Sequence, residues 1–437
     1  MVKTNYKHWK LETDDTGIVW CYIDVEDSST NVLSSEVLDE FSNVLDTVAE
    51  QGPAGLIILS AKENGFIAGA DVREFTTIEN EKDALVMLNR GHDVFNKLEA
   101  LPFSTLALIN GFCLGGGLEL SLACDYRIAL EDDKTRIGLP EVLLGIHPGF
   151  GGSVRLIRLI GPVKAMQLML QGKALDARRA KKAGIVDYMV PERQFHKAGP
   201  DMILKRPLPK RAPRHLALLN HTPFRQLIAK YLTSQLSKKI KQIHYPAPYK
   251  LVDVWEQYGD NEKAMLKAEA LSVAKLANNK SSRNLVRIFL LQERLKANKK
   301  IDGFTPENVH VIGAGVMGGD IAAWCALQGM HVGLQDREAK FIAPAIKRAA
   351  KLYKRRLKLP RLVTNVMDRL VPDIHGHNLK KADVIIEAIV ENVDIKKGLF
   401  QELQDKVKED TILATNTSSI SLELLTKGLK DPSRLVG

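Results

Sequence analysis

From Ile18 onward, short apolar runs alternate with longer stretches whose apolar residues recur every three to four positions. Ile18–Ile23, Gly55–Ser60, Thr105–Ile109 and Tyr126–Leu130 are five or six residues long and rich in Ile, Val, Leu and Tyr, which predicts buried strands. Residues 35 to 50 carry the helical period instead. Strand, helix and strand in that order predict an α/β layer architecture. Beyond about residue 190 the pattern turns basic, proline-punctuated and helical, and it closes in the amphipathic stretch Asn284–Leu295. A polar break, 298 to 307, precedes Val309-His310-Val311-Ile312, the first strand of a second α/β unit. The chain therefore reads as three segments: an α/β domain over 1–190, a helical connector over 191–304 and a second α/β domain over 305–437. It has no short-period repeat.

Length and composition narrow the picture little. With 437 residues and 45% hydrophobic content, the chain is long enough for two to four domains with well-formed cores. No apolar run reaches the roughly 18 residues that span a bilayer, and the start from Met1 to Trp9 lacks an apolar signal core, so a cytoplasmic location without a transmembrane segment is expected. Cys21, Cys113, Cys124 and Cys325 lie inside apolar patterns with no CxxC or Cys/His spacing, which predicts reduced core thiols, no disulfide and no metal site. The formal charge of +10 comes without zinc-finger or aromatic-basic nucleic-acid signatures, so no nucleic-acid partner is expected and a phosphorylated small molecule fits it better. The basic, proline-rich segment 205–215 is expected to be a solvated loop.

Chemistry concentrates in two places. After the strand at 105–109, Gly115, Gly116 and Gly117 lead into a helical stretch expected from Leu118 to Cys124, which puts Glu119 in its first turn; a second carboxylate follows in Pro140-Glu141. Glycines let backbone amides approach a ligand, and a helix start adds partial positive charge, so this loop suits an oxyanion. The glycines serve equally well for close helix–strand packing, with Glu119 and Glu141 as surface carboxylates. Earlier, Phe66-Ile67-Ala68-Gly69-Ala70-Asp71 is a small-residue turn able to offer a further amide. At the other end, the strand Val309–Ile312 runs into Gly313-Ala314-Gly315-Val316-Met317-Gly318, a GxGxxG turn followed by a helical stretch, and Asp336 ends the next strand about 20 residues on. That context indicates a dinucleotide whose ribose hydroxyl meets Asp336, hence NAD; a Rossmann-like turn that binds nothing is the alternative.

Taken in order, the 66–71 turn, Asn110 to Glu119 and Pro140 to Gly152 resemble the enoyl-CoA hydratase/isomerase (crotonase) family over roughly residues 1–190. The resemblance implies a spiral of ββα units, an acyl-CoA substrate, and the Ala68 and Gly116 amides as holders of the thioester oxygen, with Gly69, Gly115 and Asp71 lining the substrate site. Asp71 matches the family's Gly-Ala-Asp pattern, yet it could equally cap the helix after it. Glu119 and Glu141 match the family's catalytic carboxylates; Glu119 would activate water for attack at C3 while Glu141 delivers a proton to C2. Members that keep this pair also isomerise 3-enoyl to 2-enoyl thioesters. The segment 130–135 is longer than in the bacterial multifunctional members, as for a surface-loop insertion.

Residues 305–437, with Val384 to Asn392 and Ala414 to Ser419, resemble the NAD-binding domain of 3-hydroxyacyl-CoA dehydrogenases. The resemblance brings Glu391 and Lys396 to the cofactor with Met317 and the turn glycines, and Ser418 to the substrate hydroxyl; a surface ion pair and a helix cap are the alternatives. The order hydratase, connector, dehydrogenase is similar to the alpha subunits of bacterial fatty-acid β-oxidation multienzymes, which implies a possible thiolase partner and a possible homo-oligomer. In that family a His-Phe-Phe-Asn-Pro motif and a helical domain follow. No histidine occurs after His377 here, so the expectation is a truncated chain whose dehydrogenase part lacks its general base. Other crotonase-type reactions, thioester hydrolysis or decarboxylation, and a non-catalytic acyl-CoA-binding scaffold are the rival readings.

Overall fold

In a computed structural model that describes residues 6–63, 65–297, 304–357 and 359–437, the four strands anticipated before residue 131 occur with the anticipated bounds. They are β2 (Ile18–Ile23), β3 (Gly55–Ser60), β5 (Thr105–Ile109) and β7 (Tyr126–Leu130), joined by β1 (Trp9–Thr13) and β10 (Tyr188–Val190) into a sheet of order β1-β2-β3-β5-β7-β10. Only β1 runs antiparallel to its neighbour. β3, β5 and β7 are each followed by a short strand, β4 (Gly65–Ile67), β6 (Phe112–Leu114) and β8 (Arg136–Gly138), and these three pair with β9 (Ala174–Leu175) in a second sheet of order β4-β6-β8-β9. Long strand, short strand and helical segment repeat, which is the spiral the resemblance implies.

Local chemistry explains the elements. Ser34 accepts the Val37 amide at the head of the Ser35–Gln51 helix, and Gly52 ends it at φ 56°; Val37, Leu38, Phe41, Val44, Leu45 and Val48 form its buried face. Trp9 stacks on Phe41 at 4.3 Å. Asn31 holds the loop before that helix: its Oδ1 accepts the Val25 amide, and its Nδ2 donates to the Ile23 carbonyl, Ser60 Oγ and the Phe66 carbonyl.

The composition change at 190 marks a change of secondary structure, not the end of a domain. Met1–Lys299 form one compact unit and Lys300–Gly437 another. The Glu192–Lys205 helix places Phe195, Met202 and Ile203 on one face of the main sheet, against Ile18, Ile57 and Leu106. Leu251, Trp255, Met265, Val273 and Ala274, from the helices Ala247–Tyr258 and Glu262–Ala277, share the core with Phe41, Phe66 and Leu118. The supposed connector thus buries its apolar stripes in the first unit. The polar break lies partly outside the described residues, as do residues 1–5. Segment 205–215 is largely exposed, Glu131 to Lys134 form an exposed turn, and the four cysteines are free thiols.

In the second unit, β11 (Asn308–Ile312), β12 (His331–Gln335), β13 (Leu370–Pro372), β14 (Val384–Glu387), β15 (Ile412–Thr415) and β16 (Leu435–Val436) form an all-parallel sheet of order β13-β12-β11-β14-β15-β16. The order reverses between β11 and β14, the switch point where open parallel sheets bind ligands.

Candidate active site

The helix after β6 begins at Gly116, two residues earlier than its sequence suggests, and Gly115 precedes it at φ 50°. The three glycines divide the work. A side chain on Gly117 would meet the Ile67 carbonyl oxygen at 2.4 Å, so this glycine serves close packing, whereas a Cβ on Gly115 would stand 3.3 Å from Glu141 Oε1 and one on Gly116 3.4 Å from the Ala70 nitrogen. Close packing thus accounts for Gly117, while Gly115 and Gly116 face the Glu141 carboxyl and the Ala70 nitrogen.

Glu119 is buried and points inward, where Oε1 accepts the Phe150 and Gly152 amides, each at 2.8 Å. Burial pushes its carboxyl up to about 7 against the pull of those amides. Glu141 starts a single 3-10 turn, Glu141–Leu144, closed by Gly145 at φ 76°. Both of its carboxyl oxygens are buried without a hydrogen-bond partner, and burial, followed by the neighbouring Glu119, holds this group well above the usual carboxylate range. Two carboxyls in one dry site do not ionise together, so one proton is held between Glu119 and Glu141. The turn bearing Glu141 is pinned from behind, as Ser282 Oγ donates to the Leu144 carbonyl at 2.9 Å and Tyr245 donates to the Val142 carbonyl.

The 66–71 turn corrects one assignment. The Ala68 amide already donates to the Asn31 carbonyl at 2.9 Å, so it is not free to hold a substrate oxygen. Leu33 pairs across the turn, donating to the Gly69 carbonyl and accepting from Asp71, which leaves the Ala70 amide without an acceptor among the described residues and next to Gly116. The two residues whose amides lie side by side at the pocket are therefore Ala70 and Gly116. Ala68, Gly69, Gly115 and Gly116 line the pocket with both glutamates; Phe75, Leu88, Leu144, Ile146, Phe150 and Val273 make the rest of its wall apolar. Asp71 is elsewhere: its carboxylate pairs with Arg73 at 2.7 Å and accepts the Arg73 amide, a local turn rather than a pocket wall.

One residue of this neighbourhood went unnoticed in the sequence. Glu269, wholly buried on the Glu262–Ala277 helix, accepts the Gly151 amide through Oε1 at 2.6 Å and the Ser153 amide and hydroxyl through Oε2. The available signal was its place on the apolar stripe between Met265 and Val273.

In the second unit the glycines fit a dinucleotide. Gly313 (φ 104°) has its Cβ position 2.4 Å from the Ala388 carbonyl, Gly318 has its own 1.9 Å from the Gly313 carbonyl, and Gly315 faces open space, as a pyrophosphate cradle requires. Gly313, Gly315, Met317 and Asp336 line a cleft of about 970 Å³, and Gly318 lies behind it against Gly313. Asp336 also accepts the Ala314 amide at 2.7 Å. Lys396 departs from expectation. It is wholly buried, 2.6 Å from Glu387 and 3.3 Å from Glu391, so neither a surface ion pair nor direct cofactor contact describes it. Glu391 instead accepts from Thr417, the Ser418 and Ser419 amides and the Ser419 hydroxyl, bonds that hold its carboxyl down to about 2, the Thr417 bond contributing most. Ser418 thereby sits in a loop ordered by Glu391, and neither residue is on the cleft wall.

Comparison with known proteins agrees with both sites. Residues 16–248 match the enoyl-CoA hydratase/isomerase family, and 308–437 match the 3-hydroxyacyl-CoA dehydrogenase NAD binding domain. Fatty acid oxidation complex subunit alpha of Aliivibrio fischeri is 35% identical over 448 residues, covering 97% of this chain and 63% of that protein; its counterpart from Shewanella putrefaciens is 34% identical with 99% and 63% covered. The chain thus spans 63% of the length of these relatives. The human mitochondrial delta3-delta2-enoyl-CoA isomerase shares the fold, with a TM-score of 0.50 at 22% identity over 67% of this chain and 100% of that one. With a family match across more than half its length, laid over the two buried glutamates and the adjacent amides, the chain belongs to the enoyl-CoA hydratase/isomerase family and carries an NAD-binding domain of the 3-hydroxyacyl-CoA dehydrogenase type.

Proposed function

We propose that this chain adds water to 2-enoyl thioesters of coenzyme A and shifts the double bond of 3-enoyl thioesters to the 2-position. The observation that carries the reading is the pair of carboxyls with buried oxygens that line one apolar pocket together with Ala70 and Gly116. The Ala70 and Gly116 amides accept the charge that reaches the thioester oxygen, in a site where each such donor is worth roughly 10² to 10³ in rate. Glu119 takes a proton from water as its oxygen bonds to C3. Glu141 gives its proton to C2 as the enolate collapses, which leaves Glu119 protonated and Glu141 charged until the proton is returned. In isomerisation the ionised carboxyl of the pair removes the C2 proton and the protonated one delivers its proton to C4.

The apolar wall suits a fatty acyl chain, and the relatives' name supports fatty acid oxidation as the setting. The word "complex" in that name favours a thiolase subunit as partner. No helix among the described residues is long and apolar enough to cross a membrane, and we place the activity in the cytoplasm. Gly313, Gly315, Met317, Gly318 and Asp336 would hold NAD, which supplies a hydride acceptor when bound. The test is loss of the enoyl-thioester absorbance of crotonyl-CoA without release of free thiol. Thiol release, or no absorbance change, removes hydration in favour of hydrolysis or of a binding scaffold.

A further inference from the structure

Four successive amides on the turn before the Gly152–Ile160 helix are shared alternately by two carboxylates. Phe150 and Gly152 donate to Glu119; Gly151 and Ser153 donate to Glu269. The turn sits against both acids because residue 152 is glycine: a Cβ there would fall 2.7 Å from Glu119 Cγ. Arg155 steadies the same turn by donating to the Phe150 carbonyl at 3.0 Å, and it is itself held by Glu99 and Asn96. A carboxyl with no exposed surface persists only where its bonds offset desolvation, and those of Glu269 go to this turn.

We propose that Glu269 is a positioning residue: by fixing the Gly151 and Ser153 amides it aims the alternating Phe150 and Gly152 amides at Oε1 of Glu119. The inference rests on the hydratase reading. Glu269 takes no part in lining the acyl pocket, so its effect belongs to the chemical step and not to substrate binding. The groups facing it are Glu119 and, beyond it, Glu141, with Ser153, Arg155 and His92; the His92 ring lies 3.4 Å away, and burial, with Arg155 next, pushes that imidazole down to about 4, so it is neutral. Two influences on Glu119 then differ in sign. A mere neighbouring acid makes it harder for Glu119 to ionise, whereas well-aimed amides make it easier.

The experiment compares Glu269→Gln with the wild-type chain in crotonyl-CoA hydration across pH, with Glu119→Gln as the inactive reference. Glutamine keeps the shape but turns an amide donor toward the Ser153 N–H. The expected result is a fall in kcat of roughly tenfold or more, as for a slightly misplaced catalytic group, with KM within about twofold and the acid limb of the kcat profile displaced to higher pH. An unchanged kcat, a fall confined to kcat/KM through KM, or an acid limb moved to lower pH overturns the proposal. If Glu269→Gln fails to give a cooperative thermal transition, Ser153→Ala, which removes one donor and leaves the carboxyl intact, takes its place. The same upward displacement is expected, and an unchanged profile overturns the idea. A wild-type chain that does not hydrate crotonyl-CoA overturns the functional reading itself, whereas an active wild type with an indifferent Glu269→Gln overturns only the positioning role.

Discussion

Replacing Glu141 by glutamine separates chemistry from folding more cleanly than any other change in this site. The carboxyl oxygens of Glu141 are buried and unpartnered, so exchanging the hydroxyl for an amide breaks no hydrogen bond that holds the fold; the stability change is expected to stay within about 1 kcal/mol. The chemical loss is much larger. Glu141 is the proposed proton donor, its carboxyl held high by burial first and by Glu119 second, and glutamine has no proton to give. A positioned general acid is worth roughly 10² to 10⁴ in rate, which corresponds to about 3 to 5 kcal/mol of barrier. The assay is the decay of enoyl absorbance with saturating crotonyl-CoA, paired with exchange of the C2 hydrogen of the 3-hydroxyacyl product in deuterated water. Both should fall together in Glu141→Gln, with an unaltered thermal midpoint. A folded variant that keeps more than about a tenth of the hydration rate, or that loses hydration yet exchanges C2 at the wild-type rate, refutes the assignment of the C2 proton to Glu141.

Gly116→Ala places a methyl 3.4 Å from the Ala70 nitrogen and from the Phe150 ring; kcat/KM for hydration should drop by roughly 10² or more, and a change below threefold would put the oxyanion elsewhere. Stability should decline from about pH 6.5 to 8. Glu119 (about 7) and Glu269 (about 8) hold protons in the folded chain that the unfolded chain has already released, so unfolding becomes easier as pH rises, while the buried His92 and His147 (both about 4) act in the opposite sense only below about 6.5. Calorimetry checks this, and a midpoint rising with pH across that window contradicts it. Asp336→Ala should weaken NAD binding at least about tenfold, since it removes both the ribose acceptor and the partner of the Ala314 amide; an unchanged isothermal titration would exclude Asp336 from the cofactor site.

The strands were legible because a parallel strand covered on both faces is a continuous apolar run, and Thr105–Ile109 is buried at every position. The glutamates were legible through their attachment to the glycine loop and to Pro140. The choice between Ala68 and Ala70 was not: both are alanines flanking Gly69, and which amide stays free depends on pairing with Asn31 and Leu33, more than thirty residues away in the chain. Glu269 lies in a helix that also carries Lys263, Lys267 and Lys275, so its charge looks like part of a solvated face until the partner helix and turn are in place. Lys396 and Lys397 look alike in sequence, yet only Lys396 meets Glu387 from the adjoining strand.

The Asn31 side chain ties the Ile23–Val25 backbone to the Phe66 carbonyl and the Ser60 hydroxyl, and its own main-chain carbonyl occupies the Ala68 amide. Its two donor hydrogens are shared among the Ile23 carbonyl, Ser60 Oγ and the Phe66 carbonyl. Deamidation to aspartate, a one-atom-type change that leaves the shape intact, would set an anionic oxygen against two carbonyl oxygens and push the 66–71 turn off its register with Leu33. The oxyanion amide of Ala70 rides on that turn. A change of one group at a buried residue off the pocket wall would thus reach the proposed oxyanion amide through the backbone.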